Sequence, residues 1–131
     1  MAAEQSYPED LLYHSDHDWA RIEGEESTFG ITWFAQDALG EVVFFDPPEV
    51  GKQIDKDQPY AEVESIKAVS DVVAPLSGEI VAVNDALGDE PGVVNEDPYG
   101  EGWMVRVRLT APSERDALLD SAAYEKLVQE S

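Results

Sequence analysis

Residues 60–73 read YAEVESIKAVSDVV. The two ends of this stretch carry β-branched residues and alternate in polarity, a pattern that is typical of strands. Pro59 precedes the first run, and Pro75 begins the turn after the second. The pattern therefore predicts a tight β-hairpin with Lys67 at or near its tip, although neither Asn-Gly nor Asp-Gly marks the turn.

Lys67 is one of only four lysines in a chain that has 29 acidic residues. A lysine on a hairpin tip is accessible from several sides, and its amine suits covalent attachment of a group carrier. Residue chemistry alone favours the alternative of a solvated lysine in a negative neighbourhood. A third hypothesis pairs Ser65 as nucleophile with Lys67 as base. The S-x-K spacing differs from the S-x-x-K of known sites, and no oxyanion-hole signal accompanies it.

The hairpin segment ESIKAVSD, residues 64–71, closely resembles the lipoyl-attachment segment of the glycine cleavage system H-protein family. The resemblance implies that Lys67 carries lipoate through an amide bond. It also implies that Glu64 helps the modifying enzyme to recognise the hairpin. Biotin carriers typically place their lysine between two methionines, whereas Ile66 and Ala68 flank it here, which argues against biotin.

A second segment, YHSDHDW at residues 13–19, resembles the Tyr-x-x-x-His-Glu-Trp motif of the same family. The resemblance implies that the acidic residue before Trp19 lines the pocket for the methylamine-loaded arm, where a carboxylate can pair with an amine. Here that residue is Asp18, which is one methylene shorter than glutamate. We expect Asp18→Asn to shorten the lifetime of the loaded arm and to leave the unloaded protein equally stable. His14 and His17 also suggest a metal site, but the chain has no third histidine.

The resemblance extends over residues 13–127 and implies a mainly β fold. This fold is a barrel-sandwich hybrid, a flattened barrel of two similar halves, with a short internal helix and C-terminal helices. A chain of 131 residues is expected to form one domain, here a single lipoyl-carrier domain over residues 1–131. Polarity and turn residues predict strands at residues 19–22, 28–31, 41–45, 60–63, 69–73, 79–84 and 104–109.

The internal helix is predicted between Thr32 as N-cap and Gly40 as C-terminal stop, with Phe34 and Leu39 on its buried face. Residues 86–97 are rich in turn residues and are predicted to be a loop.

The two ends of the chain carry separate predictions. Residues 1–10 are polar and are expected to form a loose N-terminus. Residues 113–129 are predicted as a helical C-terminal addition of two helices, with Ser113 and Ser121 as their N-caps. Between these ends, the predicted loop at residues 86–97 has three apolar residues that are expected to hold it to the core: Leu87, Val93 and Val94.

The net charge is −21, and the acidic residues are dispersed along the chain. Direct nucleic-acid binding is excluded because phosphate contacts need a basic surface. No apolar run approaches the length of a membrane span. The absence of a signal pattern predicts a cytoplasmic protein. We expect a monomer. Dispersed carboxylates repel one another unless salt screens them. This favours a halophilic protein from a high-salt cytoplasm; the alternative is an ordinary acidic carrier.

The function that the resemblance implies is transport of a methylamine group on a lipoyl-lysine arm. Glycine decarboxylase would load the arm, aminomethyltransferase would unload it, and dihydrolipoyl dehydrogenase would reoxidise it. A lipoate ligase or a lipoyl/octanoyl transferase would attach the lipoate. The chain itself would be a covalent substrate rather than an enzyme. The alternative is an H-like relay protein that donates lipoate to other carriers without a role in glycine cleavage.

Overall fold

The computed structural model describes residues 4–130. Within them, strands form two antiparallel sheets that do not close into a barrel. The first sheet has six strands in the order β1 (Leu12–His14), β2 (Asp18–Glu23), β3 (Glu26–Ile31), β9 (Val105–Leu109), β8 (Gly78–Val83) and β5 (Gln53–Ile54). The second has three, in the order β4 (Val42–Asp46), β6 (Pro59–Ser65) and β7 (Val69–Val73). The predicted mainly β fold is confirmed, with a sandwich of unequal sheets.

The two sheets share one hydrophobic core. Phe29 and Val107 enter it from the first sheet, and Val63 and Val72 enter it from the second. Strand β9 alternates as its sequence predicts, with its apolar residues buried and its arginines exposed. Full burial of one large apolar side chain stabilises a fold by about 1.5–3 kcal/mol. Because both sheets contribute such side chains to the shared core, the core holds the two sheets together.

A short helix, α1 (Trp33–Leu39), follows β3 directly. The Thr32 hydroxyl accepts a hydrogen bond from the Ala35 backbone N–H at 3.2 Å, which confirms the predicted N-cap. Gly40 ends the helix with φ 87°, a backbone conformation that residues with a side chain rarely adopt. Both helix limits were therefore set by local residues that the sequence shows.

The buried face of α1 differs from its prediction. Leu39 is buried as expected, whereas Phe34 is only half-buried. Gln36 is buried in addition, because its side chain donates to the Trp33 carbonyl and its amide oxygen accepts from Asn95. A polar residue at a helical position can be buried when its amide finds partners, and periodicity gives no sign of such partners.

The C-terminal addition begins with a 3₁₀ helix, Pro112–Ala117, whose N-cap position is taken by Ala111. The prediction of Ser113 as N-cap is wrong. Proline favours the first helical position, which starts the helix before the serine. The Glu114 carboxylate accepts from the backbone N–H and the hydroxyl of Ser77 at 2.8 and 2.9 Å, so it ties this helix to the start of β8.

The last helix, α4 (Ser121–Gln129), is capped by Asp120, whose carboxylate accepts from the Ala123 N–H at 2.8 Å. The prediction of Ser121 as cap is wrong by one residue. Asp and Ser are about equally good N-caps, and the Ser121 hydroxyl is instead used to donate to the Tyr7 carbonyl at 2.5 Å.

The N-terminal segment docks on α4. Tyr7 is buried, and its ring meets the Tyr124 ring edge-on with centroids 5.4 Å apart. The Tyr13 hydroxyl donates to the Pro8 carbonyl at 2.7 Å. Tyr7 and the Pro8 carbonyl thus tie this segment to the fold, while the side chains of residues 4–6 and 9–10 are exposed. The loose start stays a prediction, and residues 1–3 lie outside the described residues.

The predicted loop at residues 86–97 contains two single-turn helices, α2 (Ala86–Asp89) and α3 (Val93–Glu96). Leu87 and Val94 are fully buried and hold the segment to the core as predicted. Four-residue helices are too short to show periodicity, which is why the sequence indicated only turns. Among the described residues, no helix is long and apolar enough to span a membrane.

Candidate functional site

The hairpin of β6 and β7 places Lys67 at its exposed tip, as predicted. The backbone closes with the Ser65 N–H donating to the Ala68 carbonyl at 2.8 Å. The Ser65 hydroxyl oxygen then accepts from the backbone N–H groups of Lys67 and Ala68 at 3.2 and 3.1 Å. This serine is the turn signal that takes the place of Asn-Gly.

The engagement of Ser65 in the turn also bears on the nucleophile hypothesis. Its hydroxyl oxygen accepts two backbone hydrogen bonds and it donates to the Ala68 carbonyl at 3.4 Å, so its hydrogen-bonding capacity serves the backbone. The Lys67 side chain passes over the end of α1: a methyl group placed on Gly40 would meet Lys67 Cε at 3.4 Å. The structure therefore uses Ser65 to shape the tip and leaves Lys67 exposed.

A cleft of about 350 Å³ opens beside the hairpin. Its walls are α1, the hairpin from Ala68 to Val72, and the segment from Asp16 to Asp18 that enters β2. We call it the hairpin cleft. Its volume falls in the range of about 300–1,000 Å³ that is usual for small-molecule sites, and it lies directly beside the residue at the hairpin tip.

Three aspartates line the hairpin cleft, Asp16, Asp18 and Asp71, and of these Asp18 is the buried one. It opens β2 opposite Ile31, is only 2% exposed, and its Oδ2 atom has no hydrogen-bond partner. Burial raises the pKa of this carboxyl well above its usual value, and the nearby Asp16 carboxylate adds to the rise. Burying a polar group without a partner is costly. The fold therefore keeps at this position an acid that an incoming cation would stabilise.

A second buried polar atom without a partner is the Tyr60 hydroxyl. Burial raises the pKa of Tyr60, and the Asp18 charge raises it further, so the two groups interact electrostatically. This electrostatic interaction was not predictable from local patterns, because Tyr60 lies in β6 of one sheet and Asp18 in β2 of the other.

The two histidines of the metal hypothesis bind different partners. His14 Nε2 lies 2.6 Å from Asp57 Oδ1, while its Nδ1 accepts from the Asp16 N–H at 3.0 Å. His17 Nδ1 lies 2.8 Å from the Tyr124 hydroxyl. Within residues 4–130, no group of three or more His, Cys, Asp or Glu side chains is arranged to hold a metal ion.

Glu64 lies on β6, in register with Phe44 of β4 on one side and Val69 of β7 on the other. Residues directly opposite one another on neighbouring strands share a face of the sheet. Phe44 is 49% exposed and Val69 is 60% exposed. A carboxylate flanked by two exposed apolar side chains therefore marks the outer face of the second sheet, close to Lys67.

A larger groove of about 630 Å³ runs along the C-terminal end of α1. The Asn95 side chain spans it, donating to the Gly40 carbonyl at 2.8 Å and to Gln36 at 3.0 Å, and accepting from the Val42 N–H at 2.8 Å. These contacts satisfy the amide groups and fix the end of the helix. The unpartnered Oδ2 atom of Asp18 makes the hairpin cleft the better candidate for a bound group.

An exposed lysine at the tip of a hydrogen-bonded hairpin, beside a cleft that holds a buried acid with one unpartnered oxygen, fits a covalently attached prosthetic group that moves between the solvent and the cleft. The fold and this site define a carrier protein of the lipoyl type. Comparison with known proteins specifies the family. The family described as "Glycine cleavage H-protein" matches residues 11–131, so the chain belongs to the glycine cleavage H-protein family.

Individual relatives agree with this assignment. The glycine cleavage system H protein of Halorhodospira halophila is 52% identical over 122 residues, which are 92% of this chain and 94% of that protein. The probable glycine cleavage system H protein of Haloarcula marismortui is 49% identical over 122 residues, 93% of this chain and 96% of that protein. The crystal structure of the H protein from Mycobacterium marinum is similar with a TM-score of 0.83 and 42% identity, covering 91% of this chain and 96% of that one.

These relationships confirm the function that the resemblance implied. The protein is a lipoyl carrier of glycine cleavage, it carries lipoate covalently on a lysine, and it works with the enzymes of that system.

Proposed function

We propose that Lys67 is the lipoyl-lysine of this carrier. Its exposed position at the tip of the hairpin supports the proposal, and the next residue, Ala68, already lines the hairpin cleft. Lys56, by contrast, lies against Asp57 with 3.2 Å between Nζ and Oδ2, and Lys126 lies on α4. The polypeptide is a covalent substrate of the system, with no turnover of its own.

Asp18 gives the loaded arm a counter-charge. Bound lipoate supplies the dithiolane through which a methylamine group is carried. In the unloaded protein, burial favours a proton on the Asp18 carboxyl. An amine that enters the hairpin cleft takes up this proton and leaves a carboxylate facing an ammonium. A hydrogen bond between such charged groups contributes about 1.5–3 kcal/mol, and the shorter Asp side chain is compatible with a bridging water.

Glu64 and the two apolar side chains beside it form the surface that the modifying enzyme contacts. A lipoate ligase or a lipoyl/octanoyl transferase must bring Lys67 into its own active site, so it covers the neighbouring face of the second sheet. Phe44 and Val69 supply apolar contact area there, and Glu64 supplies a charge that fixes the register.

The working partners follow from the same role. We propose glycine decarboxylase, aminomethyltransferase and dihydrolipoyl dehydrogenase, each of which acts on the arm in turn. The net charge of −21, dispersed over the chain, favours a high-salt cytoplasm as the place where this happens.

The exposure of Lys67 on the hairpin is the observation that carries the proposal. Intact mass spectrometry and peptide mapping of protein incubated with lipoate and its ligase provide the test. Lys67→Arg keeps the charge and the fold, and should abolish incorporation of lipoate. Lys56→Arg is the matched control, and its Lys67 should be lipoylated fully. Glu64→Gln should slow the modification while the site of attachment stays the same. Lipoylation that survives Lys67→Arg would disprove the assignment.

The role of Asp18 has a separate test. Release of ammonia or formaldehyde over time from the purified loaded protein measures how well the cleft protects the arm. Asp18→Asn should release them faster than the parent, and Asp18→Glu should preserve or lengthen the lifetime. Equal release from Asp18→Asn and the parent would show that this carboxylate does not guard the arm.

A further inference from the structure

A chain of hydrogen bonds connects the C-terminal helix to the hairpin cleft. The Tyr124 hydroxyl lies 2.7 Å from Thr32 Oγ1 and 2.8 Å from His17 Nδ1. Tyr124 and Thr32 are both 0% exposed, and His17 lines the cleft beside Asp18. One buried phenol on α4 therefore touches the N-cap of α1 and a side chain of the cleft wall.

The direction of these hydrogen bonds follows from the burial of Thr32. Its hydroxyl oxygen accepts from the Ala35 N–H at 3.2 Å, so its own proton needs an acceptor, and the Tyr124 oxygen is the one in reach. Tyr124 has then accepted a hydrogen bond and donates its own proton to His17 Nδ1. A neutral imidazole whose Nδ1 is an acceptor carries its proton on Nε2.

Burial lowers the pKa of His17; the Asp16 carboxylate opposes this effect and His14 reinforces it. A neutral ring suits a cleft that receives an ammonium, because it adds no positive charge. The ring is also fixed in position: it packs on Phe34 with centroids 4.5 Å apart, and its backbone carbonyl accepts from the Thr32 N–H at 3.0 Å.

We infer that Tyr124 is a positioning residue of the hairpin cleft, which holds His17 so that its Nε2–H donates to the sulfur end of the arm while Asp18 faces the amine. This inference rests on the proposed role of the cleft as the site of the loaded arm. The two groups are chemically complementary, since a thioether sulfur is a weak acceptor and an ammonium is only a donor. The C-terminal helix thereby contributes to a site at the other end of the sequence.

The test uses the full-length lipoylated protein with ¹⁵N-labelled histidine. The chain contains only two histidines, so their ring signals are easily distinguished and report the tautomer of each. Tyr124→Phe removes the hydroxyl and keeps the ring, which stacks on Tyr13 with centroids 4.7 Å apart. Tyr13→Phe is the matched control, because its hydroxyl bonds to the Pro8 carbonyl in the same aromatic cluster. His14 serves as an internal reference in every sample.

In the parent we expect His17 to be the Nε2–H tautomer. Tyr124→Phe should shift the His17 ring signals toward a mixture of tautomers and leave those of His14 unchanged. It should also shorten the lifetime of the loaded arm about three- to tenfold, the effect of losing one hydrogen bond. Tyr13→Phe should change neither the tautomer nor the lifetime.

A double variant separates positioning from a general structural effect. His17→Asn suits the positive φ of 75° at this residue, and it removes the ring on which Tyr124 acts. Adding Tyr124→Phe to His17→Asn should shorten the lifetime no further. A further loss in the double variant would overturn the inference, because Tyr124 would then act without His17.

The Asp18→Asn variant distinguishes the possible failures. If it shortens the lifetime while Tyr124→Phe does not, the cleft receives the arm but His17 does not contact it, and the inference alone is overturned. If neither variant changes the lifetime, the proposed role of the cleft fails, and the inference fails with it. An Nδ1–H tautomer of His17 in the parent would overturn the inference whatever the lifetimes.

Discussion

Ser65→Ala tests how the chain builds a rigid tip without a standard turn sequence. The hydroxyl of Ser65 accepts from the backbone N–H groups of Lys67 and Ala68 at 3.2 and 3.1 Å. The residue is 8% exposed, so water replaces these contacts only in part. Alanine keeps the strand backbone and the Ser65 N–H bond to the Ala68 carbonyl, and it removes only the side-chain acceptor.

The expected size of the effect follows from these two contacts. Each is a neutral hydrogen bond near the long end of the normal range, and such bonds contribute about 0.5–1 kcal/mol each. Their loss should lower the free energy of opening the tip by about 1–2 kcal/mol. That corresponds to about a five- to thirtyfold increase in the population of the opened turn.

Hydrogen exchange at the amides of Lys67 and Ala68 measures this opening directly, because local openings expose such amides without global unfolding. Exchange should accelerate by the factor above in Ser65→Ala. The rate of lipoylation should fall, since the modifying enzyme must then capture Lys67 from a looser tip. Ser65→Thr, which keeps the hydroxyl, should restore most of the protection.

Ser70→Ala is the matched control on the same hairpin. The Ser70 hydroxyl is exposed and donates only to the Asp71 carbonyl at 3.3 Å. It should change neither exchange at Lys67 nor lipoylation. If Ser65→Ala and Ser70→Ala behave alike, the serine does not shape the tip, and the rigidity must come from the strand pairing alone.

Two further predictions concern stability. Asp18→Asn should raise the thermal midpoint of the unloaded protein, because burial raises the pKa of Asp18 in the folded state. The difference from the parent should be small in acid, grow as the pH rises past the unfolded pKa of about 4, and level off above the folded pKa. A constant difference from acid to neutral pH would contradict this. The midpoint of the parent should rise from dilute buffer to molar salt, since the Debye length then falls to about 3 Å and the net charge of −21 is screened; an unchanged midpoint would count against adaptation to high salt.

The first of these predictions revises an expectation from the sequence. From the sequence we expect Asp18→Asn to leave the unloaded protein equally stable, because aspartate is mostly exposed in folded proteins. The structure buries Asp18 and leaves Oδ2 without a partner. Burial of this kind depends on α1 and the hairpin closing over the start of β2, which no local pattern encodes.

Features fixed by neighbouring residues were predictable. The hairpin around Lys67, the cap at Thr32 and the alternation of β9 each depend on residues within a few positions of one another. The caps at the C-terminal end were missed by one or two residues, because Asp120 and Ser121 are both good N-caps and only the contact between Ser121 and Tyr7 decides which one serves.

The contacts that shape the cleft could not be predicted in this way. His17 and Tyr124 are 107 positions apart, yet their side chains are hydrogen-bonded. Tyr124 lies in an apolar stripe of α4, so its position indicates packing and says nothing about its hydroxyl. A buried phenol is normally hydrogen-bonded. This rule indicates that the Tyr124 hydroxyl has a partner, but it does not identify the partner.

The unpartnered Oδ2 atom of Asp18 is an advantage in the proposed role of the cleft. A carboxyl that was fully hydrogen-bonded in the unloaded protein would have to break those bonds before it could bind an incoming amine, and part of the interaction would be lost. The Oδ2 atom has no hydrogen bond to break, so in this role the stability that its burial costs in the unloaded protein would be recovered when the amine takes up the proton and pairs with the carboxylate. The buried contacts of Tyr124, Thr32 and His17 hold the surrounding wall in place, which lets one side chain of the cleft remain unsatisfied without the cleft collapsing around it.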